Sequence, residues 1–185
     1  MTEQEVTIRN GITLDPKLDG ITHINVYTGG QTLVGRELSN LYDRAPTDSQ
    51  RLILVPDPYG EAALKPIGHF KSLEGFWWWL STGMTDDYFR TCNGFDARKH
   101  GCRLPKVTLP SFKHEIRYAI ALKLKTHPDI LNRLINSTLP LAHYYVYGKH
   151  CPNPKVRPAD RSMWVIHFLE DVRRTGGQAI DKILA

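Results

Sequence analysis

A run of four consecutive aromatic residues constrains the fold of this chain more than any other feature. Phe76 and the tryptophans at 77–79 follow Glu74 within residues 72–80. At about 100° per residue, three consecutive indoles spread over more than half of a helix circumference, so at least one must meet a second apolar surface or line a cavity. Partial burial beside these rings would raise the pKa of the Glu74 carboxyl group. The run is therefore either a heavy core helix or the wall of a site.

Length and composition predict a single soluble domain. A chain of 185 residues is long enough for one complete domain and too short for two of ordinary size, so residues 1–185 are predicted to form one. Hydrophobic residues make up 41% of the chain and charged residues 23%, as in soluble globular proteins. No apolar run approaches the ~20 residues that span a bilayer, and residues 1–5 are polar, unlike a signal peptide. We expect a cytoplasmic protein.

Three cysteines, Cys92, Cys102 and Cys151, argue against both a disulfide scaffold and a zinc finger. Their number is odd and no C-x-x-C spacing occurs, so we expect reduced thiols. His100 and His150 lie near two of them, but without the usual spacing of zinc ligands. The sequence predicts no metal and no cofactor.

The charge and the motifs exclude several function classes. The net charge of +5 is modest, and we interpret it as spread over the chain, which suggests an anionic partner without proving one. Serine hydrolases, kinases and zinc proteases carry motifs that this chain lacks. Its glycines do not have Walker or dinucleotide spacing, and no helix-turn-helix pattern is present.

The periodicity of apolar residues predicts strands early in the chain and helices later. Residues 21–27 alternate between apolar and polar side chains, and residues 52–55 within 51–55 are continuously apolar. Both segments stop at turn-forming residues, as strands do. The fold class predicted is α+β and predominantly α-helical, with a small N-terminal β-sheet packed against a helical core. Helix starts are predicted at Ser72, on both sides of Asn93-Gly94 within 86–101, after Ser111, at Pro128 and at Asp160 or Ser162.

Lys123 is the second anomaly of the sequence. It lies seven residues after Ile116 and three after Ile120 on the apolar stripe of a predicted helix, so it is expected to point inward. Loss of solvation lowers the pKa of a lysine and makes its neutral amine a nucleophile, for example toward a sugar aldehyde. Alternatively, its stem packs inside while the ammonium reaches solvent or pairs with a carboxylate.

Two polar segments are candidates for phosphate binding. Arg36 and Asn40 lie close to the glycines of residues 29–35, whose backbone amides are able to form an anion nest. A long connection over 148–160 is rich in basic residues, and such connections are often binding loops or mobile segments, although solvated loop charges are the commoner case. Its basic residues, with the one that follows, are Lys149, Lys155, Arg157 and Arg161.

A series of short motifs occurs in a fixed order between about residues 24 and 174. They are Leu38-Ser39-Asn40-Leu41, Ser72-Leu73-Glu74 before Phe76, Ala97-Arg98-Lys99-His100-Gly101, Lys123-Leu124-Lys125-Thr126-His127-Pro128, Leu134-Ile135-Asn136-Ser137-Thr138, and Asp160 before Trp164. This series resembles the NADAR superfamily, also called YbiA-like. Members of that family resemble N-glycosidases of ADP-ribose- or riboflavin-related substrates.

The resemblance implies a YbiA-like fold and an N-glycosidase whose substrate is, for example, ADP-ribosyl-guanine in nucleic acid. It further implies a divergent, phage-encoded member that counters an ADP-ribosylating or NAD-based host defence. Its partners would be an ADP-ribose-type nucleotide or ADP-ribosylated nucleic acid, with a host defence protein or toxin as a further partner.

Roles for individual residues follow from the same resemblance. It implies that Lys123 attacks C1 of the ribose, directly or after ring opening, and that Glu74 moves protons or stabilises the cationic sugar. It also implies that Asp160 belongs to the catalytic set. The residues implied to bind the substrate are Arg36, Asn40, Trp77, Trp78, His143 and Trp164.

A second function class stays open at this point. A degenerate member that keeps the pocket would sequester an ADP-ribose-like nucleotide, or inhibit an ADP-ribosylating toxin, without turnover. His143 stands where the family often has Glu, which favours this alternative. A structural protein that reused the fold is a third possibility, and the oligomeric state is left open.

Overall fold

The computed structural model describes residues 7–42, 52–56, 62–148 and 154–185. Helices predominate in these ranges and the strands form small sheets, which confirms a mixed α+β fold. The strands are β1 (Ile8–Arg9), β2 (Ile12–Thr13), β3 (Ile24–Asn25), β4 (Leu52–Pro56), β5 (Ala62–Pro66), β6 (Leu141–Ala142), β7 (Tyr144–Tyr147) and β8 (Lys155–Pro158). The helices are α1 (Leu33–Leu38), α2 (Leu73–Ser81), α3 (Tyr88–Thr91), α4 (Gly94–Gly101), α5 (Phe112–Thr126), α6 (Pro128–Ile135), α7 (Met163–Arg174) and α8 (Gln178–Leu184).

The chain divides into two compact units. The first unit comprises residues 1–39 and 129–179, and the second comprises residues 40–128 and 180–185. The prediction of one domain over residues 1–185 stays a prediction. None of the helices in the described ranges combines the length and the apolarity that a membrane crossing requires.

The strands of the first unit form three two-stranded ladders. β1 and β2 are antiparallel around Asn10-Gly11, whose φ angles of +50° and +76° are those that Asn-Gly adopts in a tight hairpin. β3 runs parallel to β6, with Ile24 opposite Leu141, and β7 is antiparallel to β8. The prediction of one small N-terminal sheet is therefore corrected: the strands form several small sheets and come from both halves of the chain.

A polar network lies in the core of the first unit. Nε2 of His23 is 2.7 Å from the hydroxyl of Tyr144, and both side chains are fully buried. The side-chain amide of Asn25 donates to the carbonyl of Tyr144 and accepts from its N–H, both at 3.1 Å. Burial lowers the pKa of His23, which favours the neutral ring, and the charge of Asp19 partly opposes this. These bonds satisfy polar groups that would otherwise destabilise the core.

The second unit is organised around α2, which packs against α3, α4 and α5. The hydroxyl of Ser72 accepts a hydrogen bond from the N–H of Gly75 at 3.1 Å, so the predicted N-cap is confirmed. A Cβ at Gly75 would lie 2.4 Å from the carbonyl oxygen of Phe89, so glycine permits the close approach of α2 and α3. β4 and β5 form an antiparallel hairpin in this unit.

Most of the other predicted elements are confirmed with small differences. Pro128 opens α6 as expected, and the break at Asn93-Gly94 separates α3 from α4. Only two of the residues 21–27 form a strand, because β3 pairs with β6 over two residues alone. The connection 148–160 contains β8, and its residues 149–153 lie outside the described part. The helices α1 and α8 have no counterpart among the predicted elements, and α1 occupies part of the loop in which the sequence predicts an anion nest.

Candidate functional site

Glu74 is the second residue of α2 and belongs to the second unit. Its N–H donates to the carbonyl of Asn40 at 3.0 Å, and its Oε1 accepts from the indole N–H of Trp78 at 2.9 Å. Burial raises the pKa of the Glu74 carboxyl, while the bond from Trp78 and the charge of Arg98 oppose this rise. A carboxyl group of this kind is suited to proton transfer nearer to neutral pH than an exposed glutamate.

Lys123 points into the second unit, as the sequence predicts, and its side chain is 1% exposed. Its Nζ lies 5.4 Å from the centre of the Tyr42 ring. The face of an aromatic ring attracts an ammonium group, so the Tyr42 ring replaces part of the hydration that the Lys123 ammonium loses on burial. The sequence alternative in which the ammonium reaches solvent is therefore not realised.

Residues 40–42 connect the surroundings of Glu74 with those of Lys123. If Gly94 carried a Cβ, this atom would lie 3.0 Å from Cα of Leu41 and 3.3 Å from Cβ of Glu74. The next residue along the chain, Tyr42, carries the ring that faces Lys123. Glu74 and Lys123 thus border the same three-residue segment in the second unit.

The indole of Trp78 is tightly packed on the α4 side. A Cβ at Gly101 would lie 2.4 Å from two carbon atoms of this ring, so only glycine fits against it. The ammonium of Lys106 lies 4.8 Å from the ring centre and also donates to the carbonyls of Gly101 and Leu104. The ring that donates to Glu74 is therefore fixed on a second side as well.

The remaining aromatic residues of the run divide between core and periphery. Phe76 and Trp79 are buried at 1% and 2% exposure, and Trp79 packs against Phe70 and the Arg90 guanidinium. Trp77 is half-buried, with its ring edge-on to Phe112 at 4.9 Å. Of the predicted aromatic wall, Trp79 is thus core, and Trp78 is the tryptophan that contacts Glu74.

Asn40 belongs to the second unit, where its carbonyl accepts from Glu74. The remaining residues predicted to form the site lie in the first unit: Arg36, His143, Asp160 and Trp164. Nη1 of Arg36 donates to the carbonyls of Gly30 and Gln31 at 3.1 and 2.8 Å, so this guanidinium closes its own loop. Trp164 lies half-buried in α7. In the loop predicted to bind phosphate, the guanidinium of Arg36 therefore donates to backbone carbonyls of the loop itself.

Asp160 and His143 line a small hollow of the first unit. Its volume of about 20 Å³ suits one water molecule, whereas pockets for drug-sized ligands measure about 300–1,000 Å³. The Asp160 carboxylate is 62% exposed and lies 3.3 Å from Nε of Arg9, which also lines the hollow. Since Glu74 and Lys123 belong to the second unit, neither unit contains all three residues of the predicted catalytic set.

The positive charge of the chain is concentrated, which corrects the interpretation that it is evenly spread. Residues 98–117 hold six of the 24 lysines and arginines and one of the 19 acidic residues, so their formal charge of +5 equals that of the whole chain. We call residues 98–117 the basic segment; it covers the end of α4, the connection that follows and the start of α5. Lys99, Arg103, Lys106 and Lys113 are exposed in it.

Sequence reasoning missed three contributors to this region: Tyr42, Gly101 and the basic segment. A charge count over short windows would have found the basic segment. The bond between Glu74 and Trp78 also had a signal, because residues four apart are neighbours on a helix. The contacts of Tyr42 and Gly101 depend on packing between distant elements, and we see no local signal for them.

Comparison of the chain with family models, with curated proteins and with solved structures found no match. Within the described ranges, no group of three His, Cys, Asp or Glu residues is placed to hold a metal ion. Of the residues predicted to be catalytic, Glu74 and Lys123 lie in the second unit.

Proposed function

We propose that this protein is an N-glycosidase that cleaves an ADP-ribose-type N-glycosidic bond. The observation that carries the proposal is that Glu74 and Lys123 border the same residues 40–42, Glu74 through its backbone N–H and Lys123 through its buried amine, and that burial raises the pKa of the Glu74 carboxyl group. Glycosidases need a proton donor and a group that captures the sugar cation. The resemblance to the NADAR superfamily selects the same two residues, Glu74 and Lys123.

Each residue has a defined part in the proposed reaction. In the first step the bond between C1 of the ribose and the base nitrogen breaks, and its electron pair leaves with the base, which takes a proton from Glu74. The Lys123 ammonium first releases a proton to water, and the lone pair of the resulting amine forms a bond to C1. In the second step water adds to C1 and gives a proton to the Glu74 carboxylate, while the amine leaves with the electron pair of its bond to C1, which yields free ADP-ribose and restores both residues.

The basic segment supports nucleic acid as the carrier of the scissile bond. Lys106 of this segment contacts Trp78, whose indole donates to Glu74, so the positive charge adjoins the proposed site. Cationic side chains bind phosphate backbones largely independently of sequence. The proposed substrate is therefore ADP-ribosyl-guanine in nucleic acid, removed in the cytoplasm to counter an ADP-ribosylation or NAD-based defence.

Product release from defined substrates tests the function. The protein is incubated with ADP-ribosylated DNA and with free ADP-ribose-type nucleotides, and the products are followed by mass spectrometry. We expect Glu74→Gln and Lys123→Ala each to reduce release by about 100-fold or more, because each removes a group that acts at the reacting bond. Lys125→Ala is the matched control and keeps wild-type activity, since Lys125 lies on the same helix but is exposed and pairs with Asp181.

A covalent adduct provides an independent readout of the same prediction. A lysine intermediate that opens to a Schiff base is reduced by borohydride to a stable adduct, so the mass of the protein rises and the modified peptide contains Lys123. An unchanged mass removes the nucleophile assignment. Full activity in both Glu74→Gln and Lys123→Ala removes the site assignment as a whole.

One observation favours a second candidate, a non-catalytic protein that sequesters an ADP-ribose-like nucleotide or inhibits an ADP-ribosylating toxin. Lys123 is almost completely buried beneath Tyr42, an arrangement that also suits a lysine with a purely structural role. Calorimetry with ADP-ribose distinguishes the two candidates. Tight binding without any product indicates the binding protein, and product release indicates the enzyme.

A further inference from the structure

The hydrogen bond between Trp78 and Glu74 is built into one turn of α2. The two residues are four positions apart, and the indole Nε1 lies 2.9 Å from Oε1 of Glu74. Long side chains of a helix lean toward its N-terminus, so a tryptophan at this spacing covers the residue one turn earlier. The indole can therefore reach the carboxyl group without distortion of the helix.

Contacts from outside α2 hold the indole in place. Gly101 of α4 leaves no room between its backbone and two carbon atoms of the ring. Lys106 lies above the ring at 4.8 Å from its centre, and its ammonium is held by the carbonyls of Gly101 and Leu104. A donor fixed in this way keeps its direction when the surroundings of Glu74 change.

We infer that Trp78 is a positioning residue, whose fixed indole N–H orients the Glu74 carboxyl group toward the reacting bond. This inference rests on the proposed function, and it differs from the role as a wall for the base that the sequence predicts for Trp78. The hydrogen bond to Glu74 and the packing against Gly101 and Lys106 serve orientation of the acid, because they hold the indole N–H against the carboxyl group.

The bond also sets the ionisation of Glu74. A hydrogen bond donated to a carboxylate favours its charged form, whereas burial disfavours it. Arg98 of α4 favours the charged form through its own positive charge. Lys106, in the connection between α4 and α5, faces the indole, and Lys123 of α5 is buried in the same unit. The other cations of the elements packed around α2 are Arg90 of α3, Lys99 of α4, and Lys113, Arg117 and Lys125 of α5. Removal of the indole N–H is therefore expected to raise the pKa of Glu74 further while these cations stay in place.

The test measures the titration of Glu74 directly in Trp78→Phe, which keeps an aromatic ring and removes the donor. Carbon-13 NMR of the glutamate carboxyl groups follows Glu74, with Glu74→Gln to assign its signal. We expect an upward shift of the Glu74 midpoint in Trp78→Phe. Trp77→Phe is the matched control, because it is the same change at the neighbouring residue, whose ring packs against Phe112, and we expect the Glu74 midpoint to stay where it is.

A second measurement does not depend on the folding of Trp78→Phe. In the wild-type protein the indole N–H signal of Trp78 is expected to move with pH at the midpoint of Glu74, and Glu74→Gln is expected to abolish this movement. Gly101→Ala, whose added methyl group meets the ring at 2.4 Å, displaces the indole and is expected to shift the Glu74 midpoint upward too.

Activity then separates this inference from the proposed function. With an active enzyme, Trp78→Phe lowers kcat on the order of tenfold and moves the limb of the pH profile that reports Glu74 to higher pH. An unchanged Glu74 titration in Trp78→Phe overturns the inference, whatever the activity. A shifted titration in a protein that releases no ADP-ribose upholds the control of Glu74 by Trp78 and rejects the proposed function.

Discussion

Among single residues, the buried histidine of the first unit links stability to pH. His23 is fully buried, and its ring lies within hydrogen-bonding distance of Thr22 at 3.1 Å and of Tyr144 at 2.7 Å. Burial lowers the pKa of His23 below the ordinary value of 6.5. Below pH 6.5 the unfolded chain therefore binds a proton at His23 more readily than the folded protein does. The contribution of His23 to the free energy of unfolding is thus complete above this pH and declines below it.

The prediction for this residue concerns the pH dependence of unfolding. Between pH 7 and pH 5.5, His23→Gln is expected to lose less stability than the wild type, because the difference in protonation between folded and unfolded chain disappears. The difference in slope is at most about 1.4 kcal/mol per pH unit. Urea unfolding at several pH values measures it. His167→Gln, the same change at an exposed histidine of α7, keeps the wild-type slope. Equal slopes in wild type and His23→Gln would reject the assignment.

Between elements, an ion pair between the buried Glu37 and the partly exposed Arg133 joins α1 to α6 within the first unit. Nε and Nη2 of Arg133 donate to the two carboxylate oxygens of Glu37 at 2.7 and 2.8 Å. Glu37 is 4% exposed, and Arg133 also donates to the exposed Asp129 at 2.6 Å. A bidentate pair fixes the angle between two side chains as well as their distance. Loss of one member leaves the other charge buried, which is costly.

The prediction for this pair is a large loss of stability when the arginine is removed. Arg133→Gln is expected to lower the free energy of unfolding clearly, because it leaves the buried Glu37 carboxylate without its partner. Asp129→Asn removes only the exposed partner and is expected to lower it much less. Denaturant titration measures both variants. A cost for Arg133→Gln no greater than that for Asp129→Asn contradicts the prediction.

For the molecule as a whole, the charge distribution predicts which segment binds an anionic polymer and how the affinity depends on salt. The basic segment alone accounts for the net charge of +5, so the rest of the chain is formally neutral. A protein that neutralises phosphates releases counterions, and its affinity then falls as the salt concentration rises. Binding to nucleic acid should therefore depend on this segment and on ionic strength.

The corresponding prediction is measured by fluorescence anisotropy of labelled DNA at several salt concentrations. The double variant Lys99→Gln, Arg103→Gln is expected to reduce the slope of log affinity against log salt by up to about 1.8, or about 0.9 for each phosphate of duplex DNA that the variant no longer neutralises. Lys17→Gln, Lys182→Gln removes the same charge from exposed positions outside the basic segment and keeps the wild-type slope. Equal effects of the two double variants would show that only net charge matters.

Local signals in the sequence are sufficient to predict most helices. Ser72 begins α2 and Pro128 opens α6 because capping and the fixed φ of proline act within one turn. The inward position of Lys123 follows from helical spacing alone. Glu74 and Lys123 are predicted as a pair only through the family resemblance, and their roles stay predictions.

Most of the helices could be predicted from the chain alone, and so could the inward position of Lys123 and the carboxyl group beside the aromatic run, because each depends on neighbours within a few residues. The pairing of β3 with β6 from the other half of the chain, and the packing of Trp78 against Gly101, became evident only in three dimensions. The same holds for Asp160, which lies in the other unit from Glu74. Contacts of this kind join segments far apart in the chain, so they depend on which surfaces pack together and not on the local pattern of residues.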